Sequence, residues 1–305
     1  MYVVKRLIAC LFCITLLSIK PFTSVGEEAI LDQALFLKTE ANTQVPWYYI
    51  AALYQFEKNI DNDHVFTPEQ WYGIHNVWQE EHESVIRLFH GIGRDGTGNQ
   101  LAQMDDDEDL FHTIAMYLKD IKNEEKYFHK QLWKKYKRDA SVMIVKNIAT
   151  IYKEIGHMQL NEFSFPIPQS HTYSYKDTWG DSRGFGGRRI HEGTDLFAPY
   201  GTPVLSTSYG IVELKGWNKF GGWRVGIRDV NNFYHYYAHL NTFDENIEIG
   251  RVVKPGDVIG TVGSSGYGPV GTSGKFPPHL HYGMYKDNGI NEWALNPYPY
   301  LRQWE

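Results

Sequence analysis

Between residues 27 and 158 apolar positions recur at threes and fours, the spacing of helices that bury one face; Ile114, Tyr117 and Leu118 are an example. One such segment opens at Val45-Pro46-Trp47, with proline in the first turn, where its missing N–H is no loss, and runs through Ile50 to Glu57. Further helices are predicted over 68–89, 107–119, 124–136 and 141–158. At Pro166-Ile167-Pro168 the helical period stops, as two prolines require. Beyond it come short runs that alternate or carry β-branched residues, such as Gly210 to Leu214 and Trp223 to Arg228, punctuated by glycine and proline. That is the signature of an all-β fold. The fold class expected is therefore α+β and multidomain: a leader over 1–26, an all-α region over 27–160 and an all-β region over 161–305.

The leader reading comes from Lys5 and Arg6 followed by an apolar run from Leu7 to Ile19. This is too short to span a bilayer comfortably and suits an export signal. Both cysteines, Cys10 and Cys13, fall within it, so the exported chain would carry no thiol. A disulfide framework, a cysteine nucleophile and a thiolate metal site are thereby excluded. With 305 residues and a formal charge of −6, the chain has no polycationic footprint for nucleic acid. No membrane association is expected beyond the leader.

Chemistry concentrates in the β region. In His279-Leu280-His281 alternate residues share a face, so two imidazoles point one way while Leu280 points into the core. His191 and Asp195 bracket Gly193 and Thr194, which argue against a helix. A turn followed by the strand 194–197 would bring that ring and carboxylate together. The aromatic strand around Tyr234-His235-Tyr236-Tyr237-Ala238-His239 carries two more histidines, expected on one face. Imidazole and carboxylate are zinc ligands, and a catalytic zinc keeps three of them and one open position. His191, Asp195 and one of His279 and His281 would make such a set, leaving two histidines for proton transfer.

The order His191-x-x-x-Asp195, Tyr237-Ala238-His239-Leu240, His279-Leu280-His281 resembles the LytM/lysostaphin-type zinc peptidases, which cut peptide bonds in peptidoglycan. The likeness covers roughly residues 160–300 and includes Gly201-Thr202-Pro203-Val204, Val253 to Gly260 and Gly263-Ser264-Ser265-Gly266. It implies one zinc per chain held by His191, Asp195 and His281, a catalytic pair His239 and His279, and a metal groove on an antiparallel sheet. The whole layout is similar to the L-alanoyl-D-glutamate peptidases of endospore-forming bacteria. By that likeness the partner would be a peptidoglycan stem peptide and the place of action the cell wall or the spore envelope and cortex.

Other residues invite roles. Arg188 and Arg189, in the glycine-rich loop before His191, would suit a substrate carboxylate, and His235 is a candidate to support the site from beside His239. The helical region resembles the lysozyme-like fold through Val45-Pro46-Trp47 leading to Glu57 and Gly91-Ile92-Gly93-Arg94-Asp95-Gly96. Glu57 would then be a general acid, although Lys58 follows where that family has serine, so a non-catalytic domain is expected. Asp95 to Asn99 and Asp105 to Asp109 form an acidic stretch, read as a loop that caps the next helix with Asp107 or Asp109. Two alternatives to a zinc peptidase follow: a non-catalytic wall-binding or hydrolase-activating module, and a glycosidase acting through Glu57.

Overall fold

The computed structural model describes residues 25–60, 80–103, 105–119, 125–184 and 189–305. Residues 1–24, nearly all of the expected leader, lie outside the described residues. Among those described, no helix is long and apolar enough to cross a membrane.

The helical half contains α1 (Val25–Thr43), α2 (Trp47–Ile60), α3 (Glu83–Leu88), α4 (Asp107–Leu118), α5 (Glu125–Tyr136) and α6 (Asp139–Ile155). Helix α2 starts directly after Pro46 and buries Ile50, Leu53, Phe56 and Glu57, the stripe that its spacing demands. That stripe packs on Val142, Val145, Ile148 and Tyr152 of α6 in one apolar core. Gly156, left-handed at φ 87°, closes α6, where a side chain would be strained. The helix expected over 68–89 is not continuous. Glu80–His82 form β1, paired antiparallel with β2 (Leu101–Gln103), and the described helix is confined to α3. Residues 61–79 lie outside the described residues.

Helix α4 is capped by Asp106, whose carboxylate accepts the amides of Glu108 and Asp109, rather than by Asp107 or Asp109. Asp109 turns inward and accepts the amides of Gly96, Thr97 and Gln103. Asp95 accepts those of Gly98, Asn99 and Gln100. The acidic stretch thus holds its own loop.

The β half is an antiparallel ten-stranded sheet. Its strands are β3 (Ser174–Tyr175), β6 (Thr194–Phe197), β7 (Pro203–Leu205), β8 (Gly210–Asn218), β9 (Gly222–Asp229), β10 (Phe233–Phe243), β11 (Val252–Val253), β12 (Val258–Val262), β13 (His279–Asp287) and β14 (Glu292–Leu295). A small ribbon of β4 (Ser182–Arg183) and β5 (Arg189–Ile190) precedes β6, and α7 (Tyr298–Trp304) ends the chain. The central order is β11-β8-β9-β10-β13-β6-β3. One face carries Leu196, Val225, Ile227, Tyr237, Leu280, Tyr282 and Met284, all buried, into a second core.

Chain control passes from one core to the other over a short stretch: Met158 and Leu160 belong to the helical core, Phe165 and Ile167 to that of the sheet. The halves are also joined. Ile211 and Val230 of the sheet pack into the helical core, and Arg138 grips Asp287 with both guanidinium nitrogens, at 3.0 and 2.5 Å. Asn147 donates to Glu213 at 2.7 Å and Asn59 to the Val230 carbonyl at 2.8 Å.

Candidate metal centre

The site lies on the face of the sheet opposite the core. Strand alternation turns His279 and His281 to that face and Leu280 and Tyr282, both fully buried, to the core. The pairing of β13 with β6 sets His281 directly across from Asp195 and His279 across from Phe197. His191 enters from the turn before β6. That turn lies so close to β13 that a Cβ on Gly193 would sit 2.6 Å from His281 Cε1 and 2.7 Å from the Tyr282 carbonyl oxygen. Only glycine permits the approach.

His239 reaches the same face by a different route. Counting alternate residues puts 235, 237 and 239 together, and Tyr237 is in the core. A register shift between Tyr237 and Leu240 interrupts the ladder, and His239 takes the left-handed conformation at φ 62°. The bulge turns its side chain away from the face it would otherwise share. His239 then stands 4.9 Å, ring centre to ring centre, from His279 and 6.0 Å from His281.

His235 stays behind, which corrects the expectation that it supports the site from beside His239. It is fully buried in the sheet core, where Nε2 faces Asp229 at 3.1 Å and Nδ1 meets the Tyr282 hydroxyl at 2.7 Å. Arg188 and the side chain of Arg189 lie outside the described residues. Glu192 is exposed beside the site.

Three rings are oriented by backbone carbonyls. His191 Nδ1 donates to Thr178 O at 2.8 Å, His239 Nδ1 to Ser265 O at 2.8 Å, and His279 Nδ1 to Pro277 O at 2.9 Å. A carbonyl only accepts, so each Nδ1 carries a proton, which in the neutral tautomer leaves the lone pair on Nε2. Sequence reading missed these three carbonyl acceptors, because a main-chain oxygen leaves no mark in the residue pattern.

His191 Nε2 lies 3.1 Å from Asp195 Oδ1 and 3.0 Å from His281 Nδ1, which is itself 3.0 Å from Asp195 Oδ1. With Nδ1 of His191 already protonated, at most one proton, on His281, serves this triangle of acceptors. A divalent cation would satisfy all three corners, and two imidazoles with one carboxylate are a donor set that zinc takes. Among the described residues, His191, Asp195 and His281 are also the one group of histidine and acidic side chains close enough together to hold a metal.

Electrostatics agree with that arrangement. Burial alone would raise the Asp195 carboxyl, but the surrounding imidazoles of His191, His281 and His279 outweigh it and hold the group far below the usual carboxylate range. Burial, then the neighbouring His279 and His281, pushes His239 down to about 3. Burial likewise lowers His281, against the pull of Asp195. Asp195 is thereby favoured as the anion and His239 and His281 as neutral rings, and for Asp195 and His281 these are the forms that bind metal.

Residues 189–297 match Peptidase family M23. Over 284 residues, 89% of this chain and 87% of the relative, the sequence is 52% identical to the L-Ala–D-Glu endopeptidase of Bacillus subtilis (strain 168). Lysostaphin of Staphylococcus staphylolyticus is 34% identical over 115 residues, 37% of this chain and 22% of that one. A solved catalytic domain of the antimicrobial peptidase lysostaphin from Staphylococcus simulans is 30% identical and covers 46% of this chain and 99% of its own, with a TM-score of 0.36.

Proposed function

The chain belongs to peptidase family M23, and from that premise we propose that it is a zinc-dependent endopeptidase cutting the L-alanoyl–D-glutamate bond of peptidoglycan stem peptides. The observation that carries the choice of bond is the 52% identity to an L-Ala–D-Glu endopeptidase, which extends over both halves of the chain. The choice of metal chemistry rests on the triangle of His191, Asp195 and His281.

When bound there, zinc supplies Lewis-acid polarisation of a scissile carbonyl and makes a water acidic enough to attack near neutral pH. His191, Asp195 and His281 would hold it. His239 and His279 flank the triangle, the first 6.0 Å from His281 between ring centres and the second with Nε2 3.8 Å from Asp195 Oδ1. One takes the proton of the attacking water and the other, once protonated, hands a proton to the departing amine. His239 suits such work because burial keeps its ring neutral, with a lone pair ready. The carbonyl tethers on both rings fix their tautomers before substrate arrives.

The division of labour follows: residues 27–160 form a helical, lysozyme-like but non-catalytic half, and residues 161–305 the peptidase. The state of Glu57 supports this. Its carboxylate is buried, accepts the Tyr136 hydroxyl at 2.6 Å and pairs with Lys135 at 3.2 Å. A glycosidase acid must face its sugar, whereas the Glu57 carboxylate is turned inward onto Tyr136 and Lys135. The place of action would be outside the membrane, at the cell wall and, by the likeness of layout, the spore cortex.

Mass spectrometry of digested peptidoglycan tests the proposal. New N-terminal D-glutamate is the expected product. Reducing sugar ends would favour a glycosidase, and no product from folded protein would favour a binding module. Stoichiometric zinc in the purified chain, lost in His191→Ala, is the matching expectation for the metal.

A further inference from the structure

Arg224 stands out among the charged side chains of the sheet. It lies on β9, four residues before Arg228 and on the same face. Arg228 is paired, to Glu213 at 3.3 Å and Glu292 at 2.7 Å. Arg224 is half-buried; its Nε is shut off from solvent with no hydrogen-bond partner, and among the described residues no carboxylate pairs with it. Among the described residues the hydrogen-bonding neighbour of the group is the Tyr236 side chain, and a guanidinium with no carboxylate beside it keeps capacity for a two-pronged anion.

Its position says what that anion is. The guanidinium carbon lies 5.9 Å from the centre of the Tyr236 ring, and that ring meets His281 nearly edge-on at 6.1 Å. The hydroxyl end of Tyr236 lies against Gly221, where a Cβ would come within 2.5 Å of it. The Gly221 carbonyl accepts the amide of His239 at 2.8 Å. Arg224 is therefore one aromatic ring away from the triangle of ligands and from the strand that carries His239, on the floor of the groove. Glycines flank Tyr236 in the neighbouring strands, Gly226 on β9 and Gly283 on β13; the Tyr234 hydroxyl lies over the first and the Glu192 carbonyl over the second.

Glutamate has two carboxyl groups, and a stem peptide continues through only one of them. The other remains a free anion a few bonds from the scissile nitrogen, within the ~3.5 Å span of a single residue. A planar guanidinium is the side chain best matched to a carboxylate, which it takes bidentately.

We propose that Arg224, braced against Tyr236, binds the free carboxylate of the glutamate residue that follows the scissile bond and sets the preference for an acidic residue there. This deepens the function proposed above and rests on it.

The test compares two synthetic stem peptides, one with that carboxylate free and one with it as a carboxamide of the same shape. Full-length enzyme, Arg224→Gln and Arg224→Lys are each assayed for kcat, KM and zinc content. The unsubstituted enzyme should prefer the acid by about 10- to 100-fold in kcat/KM, most of it in KM. Arg224→Gln should lose that preference by slowing on the acid alone, with its zinc retained, and Arg224→Lys should keep part of it. A preference that survives Arg224→Gln would overturn the inference. So would an equal loss on both peptides together with loss of zinc, which marks a structural role. Should Arg224→Gln fail to fold, the choice between acid and amide made by the unsubstituted enzyme and by Arg224→Lys still decides. Cleavage of both peptides without preference overturns the inference and leaves the proposed function standing. No release of N-terminal glutamate by the unsubstituted enzyme defeats that function first and the inference with it.

Discussion

Both halves of this molecule bury polar groups, and they do so in opposite ways. In the helical half each buried carboxylate finds its partners in the protein: Glu57 has Tyr136 and Lys135, and Asp109 has three backbone amides. In the sheet half, lone pairs of His191, Asp195 and His281 face one another. The first pattern is structure, because both carboxylates are satisfied within the chain. The second is a binding site, because the protein brings acceptors together and leaves their common partner to come from outside. His235 makes the point inside the sheet itself. It is as deeply buried as the site histidines, yet Asp229, Tyr282 and Thr207 complete it, and it lines no groove.

The sharpest challenge to this contrast is to remove one corner of the triangle. Asp195→Ala should abolish zinc binding and lower kcat/KM by about 10³-fold or more, with the helical half still folded by circular dichroism. In the other half the effect should fall on stability alone. Glu57→Gln leaves Lys135 buried without its carboxylate and should lower unfolding free energy by about 3 kcal/mol, measured in denaturant, while peptide cleavage by the remaining folded enzyme is unchanged. A catalytic Glu57 would reverse that outcome. The joint between halves comes next. Asp287→Ala removes the two-pronged grip of Arg138 and should lower stability by about 2 kcal/mol, with the two halves beginning to melt separately.

Acid offers a smaller and more selective probe. In metal-free protein His239 titrates near 3, against an ordinary value of 6.5. Below pH 6.5 the unfolded chain binds a proton that the folded chain refuses, so stability falls as pH falls. The slope should approach about 1.4 kcal/mol per pH unit between the two values. His239→Gln should flatten this slope in thermal melts recorded from pH 6.5 to 4.5. The smallest effect belongs to the surface. Lys215 and Glu248 pair at 2.7 Å, but Glu248 is 72% exposed, so Lys215→Ala should change stability by no more than about 0.5 kcal/mol.

Much of the molecule is legible in residue order alone. The change from helical to strand period marks where one core gives way to the next, since periodicity is a local property that each segment carries by itself. The same local rule turns His279 and His281 away from Leu280. It fails at His239, where alternation predicts a shared face with His235 and the fold separates them. It also fails at residues 80–82, which alone read as part of a helix and instead pair with 101–103.

What the sequence determined by itself is the list of donors and the faces of unbroken strands. Tertiary structure decided which donors meet. The register of β13 on β6 sets His281 against Asp195, and the bulge in β10 swings His239 into the groove. Backbone carbonyls at 178, 265 and 277 choose the tautomers. That no carboxylate among the described residues pairs with Arg224, against the two held by Arg228, is likewise visible only in three dimensions. The reason is physical: register and bulge are fixed by pairing between strands far apart in the chain, held by burial of Leu280, Tyr282 and their neighbours, and a one-residue slip would reverse every face.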